Sequence, residues 1–173
     1  ANHHAWGGRR DLSKPLRILV AGGGTGDAAV MLAWQLRELG NEGEVVYIDL
    51  SEASRTVAES RIAAMGLDNV TFHTGSLLED VPGADFDYIN CSGVLHHLPD
   101  PDAGMRALAG LLAPGGAIGA MVYGASGRTG VYEAQALLRM LGDSLPLSER
   151  LPLARQVLDA LPESNWLRRN TSM

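Results

Sequence analysis

Short apolar runs alternate with longer amphipathic segments along residues 15–123. Apolar runs bounded by Gly, Pro or Asp predict buried strands, and five are present, over residues 16–21, 45–48, 70–73, 86–91 and 117–123. The intervening segments carry apolar residues three and four positions apart, which predicts helices ending near Leu39 and Met65 and one over residues 103–112. The same spacing continues after Val131, so the remaining residues are expected to be helical.

This alternation of strands and helices predicts the fold class. Strands joined through helices form parallel sheets with right-handed crossovers, and nearly continuous apolar strands are covered on both faces. We therefore expect an α/β fold with a doubly wound, mostly parallel sheet and helices on both faces. The expected organisation is an N-terminal extension (residues 1–14), a core (15–124) and a helical C-terminal segment (125–173).

Composition narrows the classes of protein that fit. The 173 residues are 46% hydrophobic and 20% charged with a net charge of −6, which is typical of a globular protein and disfavours a nucleic-acid substrate. Cys91 is the only cysteine, so no internal disulfide forms, and its apolar neighbours predict a small buried hydrophobe. No apolar stretch reaches the roughly 20 residues of a membrane helix and no secretory leader is visible, so a cytoplasmic protein without a membrane partner is expected.

The first two predicted strands end in residues suited to an adenosine ligand. Residues 22–26 (GGGTG) follow the first strand, and glycines allow a tight turn and a close backbone approach to a ligand at the N-terminus of the next helix. Asp49 follows the second strand, where a carboxylate can accept hydrogen bonds from ribose hydroxyls. The structural alternatives are a plain tight turn and a helix cap facing solvent. Loop and acid together do not choose between NAD and S-adenosylmethionine.

Three ordered motifs resemble those of class I S-adenosylmethionine-dependent methyltransferases. Residues 20–26 (VAGGGTG) resemble the G-x-G-x-G loop of that family, whereas dinucleotide enzymes usually carry G-x-G-x-x-G. Residues 86–89 and 92–98 resemble the fourth-strand motif, and residues 111–116 (LLAPGG) resemble the turn into the fifth strand. The resemblance spans residues 16–123 and implies a Rossmann-like sheet, with S-adenosylmethionine as cofactor and S-adenosylhomocysteine as product.

The resemblance also implies cofactor-binding residues at the strand ends. It places the glycine loop against the methionine part of the cofactor, Asp49 at the ribose, the turn after the third strand along the adenine, and the end of the fourth strand near the sulfonium. The implied set is Gly22, Gly23, Gly24, Gly26, Asp49, Leu50, Gly75, Ser76, Leu77, Ser92 and Gly93. Many relatives carry an acid where this chain has Val20 and Ser76. The loop is therefore expected to lack one support, and the bond to the adenine amino group is expected to be weaker or made from the Leu77 backbone.

His96 and His97 follow the fourth predicted strand at the mouth of this site. An imidazole titrates near neutral pH, so either could act as a general base, and His96 is the candidate because it is nearer the strand end. The alternative, favoured by the recurrence of His-His in relatives with unlike substrates, is that both only pack on the loop. The pairs His3-His4 and His96-His97 are adjacent, not four residues apart, so no metal site is expected.

The end of the chain departs from the family's pattern. Relatives finish with two further strands as a hairpin, and none is visible after Tyr123, which leaves truncation, strands from another chain or a different topology as explanations. Truncation is our expectation, and a complete chain would expose its fifth strand and favour a homodimer. The glycine-rich loop over residues 124–130 could close over an acceptor through Arg128, or simply connect elements.

The function expected from this resemblance is methyl transfer to an O, N or C nucleophile. The acidic net charge favours a small-molecule acceptor, with a protein or peptide acceptor next. A non-catalytic module that binds S-adenosylmethionine and regulates a partner is the second hypothesis, supported by Val20 and Ser76. An NAD-dependent oxidoreductase is the third, and the loop spacing disfavours it.

Overall fold

The computed structural model of the protein describes residues 5–124, 126–128 and 130–169. The strands are β1 (Arg17–Ala21), β2 (Glu44–Asp49), β3 (Val70–Thr74), β4 (Phe86–Ser92) and β5 (Leu112–Met121). The helices are α1 (Asp27–Glu38), α2 (Glu52–Ala64), α3 (Pro101–Gly110), α4 (Val131–Gly142), α5 (Leu147–Asp159) and α6 (Trp166–Arg169), with 3₁₀ turns at Leu95–His97 and Ser126–Arg128. One compact unit extends to Val122 and a second begins at Tyr123.

The sheet is fully parallel, with the strand order β3-β2-β1-β4-β5. From β1 the chain adds β2 and β3 on one side, then crosses to the other side of β1 for β4 and β5. The strand order therefore reverses between β1 and β4, which is where ligands bind in open α/β sheets. The predicted α/β, Rossmann-like fold is confirmed. No further strand is present in the part of the chain that the structure describes.

Helices cover both faces of the sheet because the apolar side chains of each strand alternate in direction. Ile18 and Val20 of β1 point into the core formed with α1 and α2. Leu19 and Ala21 point the opposite way, into a core that includes Leu108 of α3. All of these strand residues are less than a tenth exposed, which explains why the strands have continuous apolar sequences.

Local hydrogen bonds define where α2 and α3 begin. The Ser51 side chain accepts from the Ser54 backbone N–H at 3.2 Å, so Ser51 caps α2. Asp100 accepts from the Ala103 N–H at 2.9 Å and caps α3, and this hydrogen bond lowers the pKa of the Asp100 carboxyl. The helix N-termini are thus oriented toward the carboxyl ends of the preceding strands.

The fifth strand begins and ends earlier than the pattern predicts. β5 starts at Leu112, whereas the expected boundary was a helix to residue 112 followed by a strand over residues 117–123. Phe86 pairs with Leu112 and Tyr88 with Ala117, so residues 113–116 bulge out of the ladder. Pro114 cannot donate to the ladder and Gly115 has a positive φ of 78°, which allows the bulge. The Pro-Gly-Gly sequence interrupts a strand and does not precede one.

Asn41 ties the segment before β1 to the loop between α1 and β2. Its Oδ1 accepts from the backbone N–H groups of Leu16 at 3.1 Å and Gly43 at 2.9 Å. Its Nδ2 donates to the carbonyls of Leu12 at 2.6 Å and Lys14 at 2.7 Å. The side chain is only 6% exposed, so these four bonds satisfy a polar group that water barely reaches.

The N-terminal segment is attached to the sheet by further polar contacts. The Trp6 indole N–H donates to the Gly115 carbonyl at 3.0 Å, and Arg10 forms an ion pair with Asp87. The Asp87 carboxylate also accepts from the Arg17 backbone N–H at 2.9 Å. The predicted extension over residues 1–14 is therefore packed on the first unit from residue 5 onward, and His3 and His4 lie outside the described residues.

Cys91 lies in the core beneath α3 and is fully buried, as its apolar neighbours predict. Burial raises the pKa of the Cys91 thiol to about 11, which keeps it protonated at neutral pH. Among the described residues, none of the helices combines the length and apolarity needed to cross a bilayer. The cytoplasmic location stays a prediction.

Candidate functional site

A cavity of about 460 Å³ opens at the carboxyl ends of the strands, where the strand order reverses. This volume lies within the range of small-molecule sites, about 300–1,000 Å³. Its walls come from four strand ends and the turn after β4, through Gly22, Gly24, Ile48, Asp49, Leu50, Gly75, Ser76, Leu77, Ser92, Gly93, Val94, His97 and Leu98.

Three of the four glycines in the glycine loop (residues 22–26) stand where a side chain would not fit. Gly22 has a φ of +71°, and a Cβ there would lie 2.3 Å from Val94 Cγ2. At Gly23 a Cβ would lie 2.2 Å from the Tyr47 ring. Gly26 has a φ of +93°, and a Cβ there would lie 3.0 Å from the backbone of Ala58 in α2. The loop therefore packs tightly against β2, α2 and the β4 turn.

The backbone of the loop is hydrogen-bonded to the end of β2. The Ile48 carbonyl accepts from the N–H groups of Gly22 at 2.8 Å and Gly23 at 3.1 Å. The Asp49 carboxylate accepts from Gly24 N–H at 2.8 Å through Oδ2 and from Ser51 N–H at 2.8 Å through Oδ1. Each carboxylate oxygen keeps a further lone pair. Asp49, which lines the cavity, is thus held in one orientation and can accept two more hydrogen bonds.

The turn after β3 is held by an acid four residues beyond Ser76. Asp80 accepts from the Ser76 N–H at 2.7 Å through Oδ2, and a Cβ at Gly75 would lie 2.6 Å from Asp80 Cβ. The Ser76 hydroxyl accepts from the Leu78 N–H at 3.2 Å. The Ser76 side chain therefore helps to close the turn, and Gly75, Ser76 and Leu77 all line the cavity.

Nine of the eleven predicted cofactor-binding residues line this cavity, Gly23 and Gly26 being the exceptions. Those two shape the loop from behind through the contacts with Tyr47 and Ala58. Sequence reasoning did not single out Ile48, Val94 and Leu98 as wall residues. All three are apolar. Ile48 and Val94 adjoin Asp49 and Gly93, so the strand-end rule extended by one position would have included them, whereas Leu98 follows the 3₁₀ turn, five residues after Gly93.

The two histidines after β4 lie in different surroundings. His97 is exposed and lines the cavity. His96 does not line the cavity, and both of its ring nitrogens are shielded from solvent. The two imidazole rings are in contact at a tilt of 51°, with 4.1 Å between their centroids. The structure therefore brings His97, one residue beyond the predicted base, to the site, while the catalytic role of His96 stays a prediction.

His96→Ala is expected to lower the free energy of unfolding by about 1–2 kcal/mol, because it leaves a hole where a shielded imidazole packs. The matched change His97→Ala is expected to alter it by less than about 0.5 kcal/mol, since that side chain is exposed. Urea unfolding of both variants beside the unchanged chain measures the difference. Equal losses would contradict the distinction between the packed and the cavity-lining histidine.

A second, smaller cavity of about 220 Å³ lies beneath the N-terminal segment, with Trp6, Gln35 and Tyr88 among its wall residues. Its wall contains neither a carboxylate nor a glycine. In the second compact unit the Arg128 guanidinium lies 3.4 Å above the centre of the Tyr123 ring. Residues 125 and 129 of this loop lie outside the described residues, and a contact between Arg128 and an anionic acceptor stays a prediction.

Comparison with known proteins gives concordant matches. Residues 19–118 match the family model described as a methyltransferase domain. An uncharacterised protein of Synechococcus sp. is 39% identical over 166 residues, which cover 91% of this chain and 38% of that protein. The demethylmenaquinone methyltransferase of Geobacillus kaustophilus is 33% identical over 109 residues, which cover 62% of this chain and 45% of that protein. This chain therefore spans less than half the length of these relatives.

A solved structure agrees with the family match. The S-adenosylmethionine-dependent methyltransferase from Geobacter sulfurreducens, crystallised in complex with S-adenosyl-L-homocysteine, is 28% identical with a TM-score of 0.51. The similarity covers 62% of this chain and 41% of that chain.

A parallel sheet with a glycine loop after β1 and an acid after β2, both at one cavity, is the arrangement of a Rossmann-like domain. The match over residues 19–118 then gives the family: the chain belongs to the methyltransferase domain family. The recognition of a class I methyltransferase domain, with S-adenosylmethionine as its cofactor, is confirmed.

Proposed function

We propose that this chain is the S-adenosylmethionine-binding domain of a methyltransferase that methylates an O, N or C nucleophile of a small molecule. The observation that carries the proposal is the hydrogen bonding of the glycine loop to the Asp49 carboxylate at the edge of one cavity. Loop and acid come from separate strands, so their meeting at this edge is a property of the fold.

The shape of the cavity fits the cofactor. Gly22 and Gly24 bring bare backbone to the wall, and the 460 Å³ volume suits an adenosyl ligand. Asp49 would accept from the ribose hydroxyls, and Leu50, which is 75% exposed, would cover one face of the adenine. The Gly75–Leu77 turn would lie along the other side of the adenine, and Ser92 and Gly93 would lie near the methionine part.

When bound, S-adenosylmethionine supplies a methyl group already activated by the sulfonium. The residues of the chain are then needed mainly to orient the two reactants, which is worth roughly 7–11 kcal/mol. A proton must be removed only if the accepting atom arrives protonated. His97, exposed on the cavity wall, has the better position for that task, and the His96 ring packs against it.

The small-molecule acceptor rests on two observations. The net charge of −6 disfavours nucleic acid, and a relative carries the name demethylmenaquinone methyltransferase. A protein or peptide acceptor is the second choice. Because β5 lies at the edge of the sheet in the described part of the chain, a homodimer through this strand is proposed only for the case in which no further strand pairs with β5. Sedimentation of a monomer at high concentration would remove that part.

A non-catalytic module that binds S-adenosylmethionine and regulates a partner is the second candidate. Val20 and Ser76 favour it, since both replace acids that support cofactor binding in many relatives. Cofactor binding without turnover over a broad panel of acceptors would favour this reading. Methylation of any acceptor would favour the enzyme.

Calorimetric titration with S-adenosylmethionine, S-adenosylhomocysteine and NAD tests the proposal. Micromolar binding of the two adenosyl ligands with no binding of NAD is expected. Binding of none of the three would overturn the proposal, because a site with this loop and acid must then be incomplete. Binding of NAD alone would assign the site to a different cofactor.

A further inference from the structure

Position 20, at the end of β1 before the glycine loop, is a valine, and the structure has a tyrosine next to it. Val20 of β1 and Tyr47 of β2 are partners in the parallel register. Tyr47 is also the partner of Phe72 in β3, and the two rings lie 5.2 Å apart between centroids. The Tyr47 ring is fully buried beneath Gly23.

The Tyr47 hydroxyl extends past Gly23 to the centre of the loop. Tyr47 Oη donates to the Gly24 carbonyl at 2.6 Å, and the Gly24 N–H donates to Asp49 Oδ2 at 2.8 Å. Both polar backbone groups of Gly24 are therefore bound to side chains of β2. Tyr47, Ile48 and Asp49 are consecutive, and each holds a different part of the loop.

Gly24 depends on these two hydrogen bonds more than its neighbours do. A Cβ at Gly22, Gly23 or Gly26 would collide with surrounding atoms, so packing holds those three residues. A Cβ at Gly24 would meet nothing within 4 Å, so this residue lies against open space. Its φ of +52° is therefore held by its hydrogen bonds and its chain neighbours.

The Tyr47 hydroxyl remains a donor throughout the useful pH range. Burial first, and then the negative charge of Asp49, raise the pKa of Tyr47 to about 12. The phenol is therefore protonated at every pH at which the domain would work. The Gly24 carbonyl offers no proton, so only a protonated Tyr47 can make this bond.

We propose that Tyr47 is a positioning residue for the cofactor site, which supports the glycine loop from β2. Its hydroxyl fixes Gly24, and Gly24 N–H in turn fixes the Asp49 carboxylate that faces the ribose. The inference rests on the proposed function, because S-adenosylhomocysteine binding is its readout. A tyrosine that only fills the core would act through its ring, and its hydroxyl would be dispensable for binding.

Tyr47→Phe removes the hydroxyl and keeps the ring that packs on Phe72. We expect the Kd for S-adenosylhomocysteine, measured by calorimetry, to rise about tenfold, as for the loss of one buried hydrogen bond. Tyr88→Phe is the matched control, because it removes a hydroxyl from β4 at the other cavity and is expected to leave Kd unchanged. An unchanged Kd in Tyr47→Phe would overturn the proposal.

A double-mutant cycle with Asp49→Ala tests the route through the carboxylate. If Tyr47 acts through Gly24 and Asp49, the effect of Tyr47→Phe shrinks below about threefold when Asp49 is already absent. A persistent tenfold effect would mean that Tyr47 acts by another route and would overturn the proposal. If the unchanged chain does not bind S-adenosylhomocysteine, the proposed function is wrong, and this inference falls because it rests on that function.

If Tyr47→Phe does not fold, NMR spectroscopy of the unchanged chain tests the proposal instead. The buried Tyr47 hydroxyl proton is expected as a slowly exchanging NMR resonance close to the Gly24 α-protons. This resonance and the Gly24 amide are expected to shift together on titration with S-adenosylhomocysteine. A hydroxyl proton that exchanges freely, or that does not respond to the ligand while the Gly24 amide does, would overturn the proposal.

Discussion

Asp49→Ala is expected to weaken S-adenosylhomocysteine binding about 100-fold. The carboxylate has two lone pairs left for the ribose after accepting from Gly24 and Ser51 N–H. Each hydrogen bond to a charged group is worth roughly 1.5–3 kcal/mol. The loss of two such bonds, together with the loss of the loop's orientation, is therefore expected to reduce the binding free energy by at least about 2.7 kcal/mol, which is about 100-fold in Kd. Calorimetry measures the change in Kd directly.

Asp27→Ala is the matched control for Asp49. Asp27 is an acid at the other end of the same loop, in the first turn of α1, and its side chain is 82% exposed in an ion pair with Arg61. Removal of the Asp27 carboxylate is expected to change the Kd for S-adenosylhomocysteine by less than threefold, because exposed ion pairs contribute little free energy. A Kd for Asp49→Ala within threefold of the unchanged chain would contradict the ribose assignment. So would equal losses in both variants.

Asn41→Ala is expected to lower the free energy of unfolding by about 4 kcal/mol. The substitution leaves the buried N–H groups of Leu16 and Gly43 without their acceptor, and each such group costs roughly 1–3 kcal/mol. It also removes the two donors that hold the Leu12 and Lys14 carbonyls. Equilibrium unfolding in urea measures the loss as a lower midpoint with an unchanged slope.

Asn69→Ala provides the comparison for Asn41. The Asn69 side chain is half-buried and donates a single hydrogen bond, to the Ala33 carbonyl at 3.1 Å. Its loss is expected to cost about 1 kcal/mol. A loss below about 1.5 kcal/mol in Asn41→Ala would show that the segment before β1 does not depend on this side chain. A slope that falls with the midpoint would mean that the segment detaches in a separate step.

Most of the fold could be predicted from the sequence because the signals are local. The apolar runs place β1 to β4 within one or two residues, since a strand covered on both faces needs a continuous apolar sequence. Ser51 and Asp100 cap α2 and α3 through hydrogen bonds from backbone N–H groups three residues on, so the helix starts also depend on local contacts. β5 was misplaced because Pro114 and Gly115 indicate a turn, and a bulge inside a strand uses the same residues.

Most of the candidate site was also accessible from the sequence. The rule that ligands bind at the carboxyl ends of strands, together with the family motifs, selects Asp49, Ser92 and the glycine loop without any coordinates. The choice between His96 and His97 was not accessible, because two adjacent residues differ only in the direction that the 3₁₀ turn gives their side chains. Only His97 faces the cavity.

The sequence by itself determined the order of strands and helices, the glycine loop, the acid after β2 and the class of cofactor. Each of these depends on neighbouring residues or on a motif of a few positions. The tertiary structure alone decided that Tyr47 supports Gly24 and that Asn41 holds the segment before β1. Within a continuous apolar strand, the amino-acid sequence does not specify the register with the neighbouring strand. Val20 meets Tyr47 only because packing on both faces sets how β1 and β2 align.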